Sequence, residues 1–309
     1  MTTPSAGNGT DVAAVLALVA AATSADGVAP LSEDALLQLT HGNTPPAGDV
    51  VLYTGGESAA GRLLVGYAHM DAPDYAGQDG DITAELVVHP AHRRQGHGRQ
   101  LLANVLTLAQ EHGVRAWAHG DRPGSAELAR SLELTRIRAL FQLRMPLARA
   151  PQTPPSFPDG VTVRTFAPGR DESAWLAVNQ RAFAHHPEQG SWTIKDLRLR
   201  EEEPWFDPAG FFLAERDGRI IGFHWTKVHQ SDDGSAPIGE VYVVGVDPGQ
   251  QGGGLGRALT QTGLDYLRGL GLAEVLLYVD EDNTAAVSMY TKLGFGRWST
   301  DVMYRHPGR

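Results

Sequence analysis

Pro90, Gly96 and Gly98 recur as Pro248, Gly254 and Gly256, each displaced by 158 residues (90 to 248, 96 to 254, 98 to 256). A constant displacement of about half the 309-residue chain marks a duplicated domain; short-period solenoids repeat every 20–50 residues or so. Each copy follows an apolar, β-branched stretch and precedes a helical one. That order of strand, turn, glycine-rich loop and helix turns several backbone N–H groups toward one point. With the positive end of the helix, it forms a site for phosphate or pyrophosphate. Between the copies, Pro146, Pro151, Pro154, Pro155 and Pro158 exclude a helix or central strand. They mark an extended linker, so the expected domains are 1–150 and 151–309.

Each half reads in one order. In the first, helices at about 11–22 and 32–40, the latter capped by Ser32, precede strands at 50–54 and 62–70. Strand 82–88, the loop, helix 98–112, strand 114–118, a helix near 125–131 and strand 137–144 follow. In the second, strand 161–166 leads to a helix at 171–183 and another after Thr193. Strands 211–216 and 219–227 meet at Asp217-Gly218, a two-residue hairpin signal. Strand 239–246, helix 255–269, strand 274–279, helix 284–292 and strand 295–304 complete that half. The expected fold class is α/β: a mixed sheet with helices on both faces, twice over.

A net charge of -10 argues against a nucleic-acid or anionic-membrane partner. The chain has no cysteine, which removes disulfides, thiolate metal sites and cysteine nucleophiles together. The apolar run from Val12 to Ala22 is too short to span a bilayer, and no basic segment precedes it as in a signal peptide. A cytoplasmic, soluble monomer is expected.

Arg93, Arg94 and Arg99 bring positive charge to the first loop, where the second has Gln251 and Arg257. Glu240 opens the strand that enters the second loop, placed to take a proton from an amine directly or through water. Its counterpart in the first half, counted back from Pro90, is Ile82, which accepts no proton; Glu85 lies three residues nearer the proline (85 against 82). Asn283 begins a helix and can cap it, and Tyr290, seven residues on (283 to 290), lies on the same face. Aligning 132–134 with 293–295 puts Ala129 at the tyrosine position of the first half. The first half thus lacks counterparts of both Glu240 and Tyr290 and should be non-catalytic. His185-His186 and the pair His224/His229 lack carboxylates at metal spacing, so no metal site is expected.

The spacing Gln251-x-x-Gly254-x-Gly256, and Asn283-x-x-Ala286 followed by Tyr290 and Leu293-Gly294-Phe295, resemble the GCN5-related N-acetyltransferase (GNAT) family. Segments 26–30, 186–192, 222–229 and 240–248 narrow the resemblance to the mycothiol synthases of actinobacteria, across both halves. The resemblance implies acetyl-CoA as co-substrate and cysteinyl-glucosaminyl-inositol as acceptor. Carried over by position, it implies acetyl-CoA contacts at Leu86, Val87, Val88, Arg94, Gln95, Gly96, His97, Gly98 and Arg99. In the second copy they fall on Val244, Gly245, Val246, Gln251, Gly252, Gly253, Gly254, Leu255, Gly256 and Arg257. Asn283, Ala286 and Ser288 join them on the following helix. Acceptor contacts fall on Glu33, Glu188, Lys227, Glu240 and Tyr278, and Tyr290 is implied as the acid that protonates the departing CoA sulfur. Two other readings stay open: an acetyltransferase acting on another small amine, such as an aminoglycoside, or a non-catalytic acyl-CoA sensor.

Overall fold

A computed structural model describes residues 4–6, 11–41, 49–55, 62–71, 80–230 and 236–308. By internal contacts the chain forms two compact units, 1–140 with 299–309, and 141–298.

In the first unit, β1 (Pro4–Ala6), β2 (Val50–Gly55), β3 (Arg62–Met70) and β4 (Ile82–Val88) follow one another antiparallel. Strand β5 (Val114–Ala118) then pairs parallel to β4. Helices α1 (Val12–Asp26) and α2 (Glu33–His41) cover one face, where Val15, Leu18 and Val19 pack with Tyr67 and Val87. Helix α3 (His97–Leu108) covers the other through Leu101 and Val105 against Val65 and Ala84. The period-two alternation of β3 and β4 thus feeds two cores. Ser32 Oγ accepts from Ala35 N at 3.2 Å, capping α2. Helix α4 (Pro123–Ser131) follows β5.

Strand β6 (Thr135–Pro146) leads into the second unit, where α5 (Glu172–Ala182), α6 (Pro187–Gly190) and α7 (Ile194–Glu201) follow β7 (Thr162–Thr165). Strands β8 (Phe211–Arg216) and β9 (Arg219–His229) are joined by Asp217 and Gly218, both at positive φ (51° and 72°), as a tight hairpin requires. Strand β10 (Ile238–Val246) pairs antiparallel to β9 and parallel to β11 (Glu274–Asp280). Helix α8 (Leu255–Gly269) packs Leu264 and Leu267 on Val241 and Val275, while Trp175 of α5 meets Phe211, Phe223 and Trp225 on the opposite face. Helix α9 (Thr284–Leu293) and β12 (Gly296–His306) end the chain.

The last strands depart from the sequence reading. Strand 137–144 was expected to close the first sheet and 295–304 the second. Instead Leu143 and Met145 of β6 join the core of Val241, Leu264 and Tyr290. Residues 302–306 of β12 pair antiparallel with 114–118, and Val302 and Tyr304 pack on Leu102 and Ala116. Both strands offer alternating apolar residues, so neither carries a local signal for which sheet it completes. The contact boundary falls at 140/141, whereas the linker prolines place it near 150.

Candidate active site

The two glycine loops carry the same backbone devices at matching positions. His89 Nδ1 accepts from Ala91 N at 3.2 Å, and Asp247 Oδ1 accepts from Gly249 N at 3.1 Å, each capping a short 3₁₀ turn that begins at Pro90 or Pro248. Positive φ occurs at Arg94 (61°) and Gly96 (86°), and again at Gly252 (88°) and Gly254 (81°). Gly96 and Gly254 are helix N-caps without a side-chain cap, so the first-turn N–H groups of α3 and α8 have no side-chain acceptor at the cap. Such amides suit the oxygens of a pyrophosphate. A Cβ on Gly98 or Gly256 would meet Leu128 at 3.4 Å or Val246 at 3.6 Å, where each helix approaches its neighbours.

Upstream of each loop the parallel ladder ends early. Glu85↔Trp117 and Val241↔Leu277 are the last registered pairs, although β4 runs on to Val88 and β10 to Val246. Leu86, Val87 and Val88, like Val244, Gly245 and Val246, occupy these overrunning ends. Strand β10 also has a register shift between Val241 and Val243, whereas β4 pairs with β3 evenly from Ala84 to Val88. At Gly245 a Cβ would lie 2.6 Å from the Phe223 ring, so only glycine lets the strand pass that close.

The first loop is more encumbered. Arg93, expected to add charge for a phosphate, is bound by Asp26 through two hydrogen bonds of 2.8 and 2.7 Å. Arg94 sits 3.5 Å from Glu127, and Arg99 donates to the Ser131 carbonyl at 3.1 Å. Gln95 is exposed. His97 is buried, and its Nε2 has no hydrogen-bond partner among the described residues. Around the second loop Gln251, Gly253 and Arg257 are exposed and Leu255 is buried.

Glu240 is 5% exposed, yet its Oε2 lies 2.6 Å from Nε2 of His229, whose side chain is 38% exposed. Lys227 stands across the ladder from Glu240. Its ammonium lies 4.2 Å from the Trp205 ring centre and 5.2 Å from that of Tyr242, a cation held by aromatic faces. Arg200 donates to the Tyr242 hydroxyl at 2.9 Å. The Tyr278 ring is exposed and its hydroxyl accepts from Gln142 at 2.7 Å. Glu33 is the first residue of α2. Glu188 lies in α6, its side chain outside the described residues.

Asn283 caps α9, its Oδ1 accepting from Ala286 N at 3.1 Å, and Ser288 on the same helix is exposed. Tyr290 is 8% exposed; burial pushes its phenol up to about 12, which keeps the proton on oxygen near neutrality.

Two of these histidines lie against carboxylates: His229 has Glu240, and His186 Nε2 lies 3.1 Å from Asp280. Among the described residues no group of three could hold a metal. His224 is buried, bonded to the Leu259 carbonyl at 2.8 Å, and burial pulls it down to about 4. The sequence also gave no sign of a buried cluster in the first unit. His119 Nδ1 lies 3.0 Å from Asp301, its Nε2 3.7 Å from Glu85, and Glu85 accepts from Ser32 N. Burial alone would pull His119 down, but Asp301 and Glu85 overcome it and raise it to about 10. Glu85, against the cost of its own burial, is held below the usual carboxylate range by His119 and Ser32.

The model of the acetyltransferase (GNAT) family matches residues 20–132 and again 175–295. A mycothiol acetyltransferase of Thermobispora bispora is 56% identical over 296 residues, covering 96% of each chain. One from Streptomyces avermitilis is 54% identical, covering 94% of this chain and 90% of its own. Among solved structures, a tandem GNAT protein from the clavulanic acid biosynthesis pathway covers 99% of this chain and 98% of its own at a TM-score of 0.71 and 22% identity, a likeness of fold. No helix among the described residues is long and apolar enough to cross a membrane. With two matches to the family model, one at each glycine loop, and relatives above half identity along its length, the chain belongs to the acetyltransferase (GNAT) family as a tandem member alongside the mycothiol acetyltransferases.

Proposed function

We propose that the protein transfers the acetyl group of acetyl-CoA to the cysteinyl amine of cysteinyl-glucosaminyl-inositol, the last step of mycothiol biosynthesis. The observation that carries this reading is the 56% identity to a mycothiol acetyltransferase over 96% of both chains. The second unit does the chemistry. Its loop from Gln251 to Arg257 cradles the pyrophosphate with the α8 amides, helped by Asn283, Ala286 and Ser288. The thioester lies along Val244 to Val246, where backbone N–H groups beyond the last ladder pair stabilise the oxyanion. Glu240 takes a proton from the acceptor ammonium, directly or through water. The freed amine attacks the thioester carbon, the C–S bond breaks, Tyr290 gives its proton to the sulfur, and the second proton shed by the nitrogen as the amide forms resets Tyr290. No covalent enzyme intermediate is needed.

The acceptor is rich in hydroxyls and carries one ammonium group. Carboxylates at Glu33, Glu188 and Glu240 suit those donors, and Lys227 and Tyr278 suit hydroxyl oxygens. The first unit keeps an acyl-CoA-type loop at Leu86 to Val88 and Arg94 to Arg99 but does no chemistry, since Ile82 and Ala129 stand where Glu240 and Tyr290 stand in the second. The test is acetyl-CoA with cysteinyl-glucosaminyl-inositol, read by mass spectrometry and thiol release, beside a panel of aminoglycosides and peptide N-termini. Acetylation of the cysteinyl amine is expected. Turnover confined to the other amines, or none at all, would refute the proposal.

A further inference from the structure

One proton has no exit in the scheme so far. An acceptor ammonium carries three N–H bonds and the product amide one; the CoA thiol takes one proton, so one is released per turnover. Glu240, 5% exposed, is poorly placed to hand it to water itself. Its Oε2 lies 2.6 Å from His229 Nε2, and that side chain is 38% exposed. Among the described residues, the other groups facing this stretch do not offer the path. Lys227, opposite Glu240, is buried with its ammonium against Trp205 and Tyr242. Arg200 donates to Tyr242 and stacks over Trp192 at 4.0 Å. Only an imidazole among these can accept a proton on one nitrogen and release one from the other.

We infer that His229 is a proton relay acting through Glu240, carrying the released proton from the buried carboxylate to solvent. The N–H bond of the acceptor breaks and an O–H bond forms on Glu240. That proton passes from Oε2 to His229 Nε2 while Nδ1 releases its own to water, and a tautomer shift resets the ring. The role rests on Glu240 being the base, and His229 is a positioning and relay residue that does not touch the reacting atoms.

Three variants separate the possibilities. His229→Ala should lower kcat by about tenfold or more, leave KM for acetyl-CoA unchanged, and regain turnover when imidazole is added to the buffer. His229→Gln keeps a donor near Oε2 but cannot pass a proton on, so it should be as slow as the alanine variant. Glu240→Gln should be slow and unaffected by imidazole. Wild-type turnover in His229→Gln would reduce His229 to a fixed hydrogen-bond partner and overturn the relay; so would failure of imidazole to restore His229→Ala. Wild-type turnover in Glu240→Gln would instead remove Glu240 as base, a failure of the functional reading beneath.

Discussion

Both units bury a carboxylate on the strand that enters the glycine loop, and both set a histidine against it, yet the two pairs are built for different ends. Glu85 faces His119, which Asp301 clamps from the other side, and takes the Ser32 N–H at the start of α2. Its partner is raised to about 10, so the pair stays charged as a buried strut. Glu240 faces His229 at 2.6 Å, and His229 is open to solvent. The two units share the loop and its capping turn but bury their carboxylates at different points along the strand, one sealed and one with an outlet. A pair sealed from water does not exchange protons readily; one with an exposed member can.

The sharpest way to break this contrast is to remove each carboxylate. Glu240→Ala and Tyr290→Phe should each cut kcat by about 10²-fold or more with the fold intact by circular dichroism. Glu85→Gln should do the reverse, destabilising by about 3–5 kcal/mol as one half of a buried pair is lost, with kcat per folded molecule unchanged. A catalytic loss in Glu85→Gln without a stability loss would erase the distinction between strut and base.

The loops offer a second test, because their glycines carry the same backbone. Gly96→Val and Gly254→Val each force a branched side chain into positive φ (86° and 81°), costing about 1–3 kcal/mol of strain. Thermal denaturation should show similar losses. Kinetics should not: kcat/KM for acetyl-CoA should fall about tenfold or more in Gly254→Val, where the strain meets the proposed oxyanion and pyrophosphate site, and stay near wild type in Gly96→Val. Abolished turnover in a folded Gly96→Val protein would assign chemistry to the first unit.

The buried histidines give opposite pH signs. His119, raised from 6.5 to about 10, lends stability that is full below pH 6.5 and lost as pH climbs through 10. His224, lowered by burial to about 4, lends stability present above pH 6.5 and lost as pH falls through 4. The first unit should therefore weaken toward alkali and the second toward acid. Hydrogen exchange resolved by peptide would follow each unit separately, and His119→Gln should flatten the alkaline slope alone.

Much of this was readable beforehand where a residue's own backbone demands it. Gly254 and Gly96 announce positive φ, Asp217-Gly218 announces its hairpin, and Asn283 its cap, because each constraint is local. What was hidden depends on distant partners. Arg94 takes a positive φ of 61° where the second loop has Gly252, so that loop's twin was spelled differently from its shape. Eight residues, 230–237, separate β9 from β10, too long a connection to fix by counting the pairing that brings His229 beside Glu240. Asp301 reaches His119 across 182 residues, and the final strand closes on β5 because Val302 and Tyr304 fit Ala116 and Leu102 there. Sequence spacing carries no record of such choices.

The smallest effect concerns how α9 is started. Its counterpart α4 begins with Pro123 after Arg122, with no side-chain cap, whereas Asn283 Oδ1 holds Ala286 N at 3.1 Å. Loss of this acceptor in Asn283→Ala should cost about 1 kcal/mol, with Tyr290 held less firmly on its helix. Asn283→Asp keeps the acceptor and adds a negative charge at the positive end of the helix, worth about 0.3–1 kcal/mol, so it should match or exceed wild-type stability. The two variants therefore separate a cap from a ligand contact. If Asn283 is only a cap, the aspartate variant keeps both stability and KM. If it also meets acetyl-CoA, as proposed, the new charge repels the phosphates and KM for acetyl-CoA rises severalfold in a protein that melts no lower. A KM unchanged in Asn283→Asp would take that residue out of the acetyl-CoA site and leave α9 with the same purely structural start that α4 has.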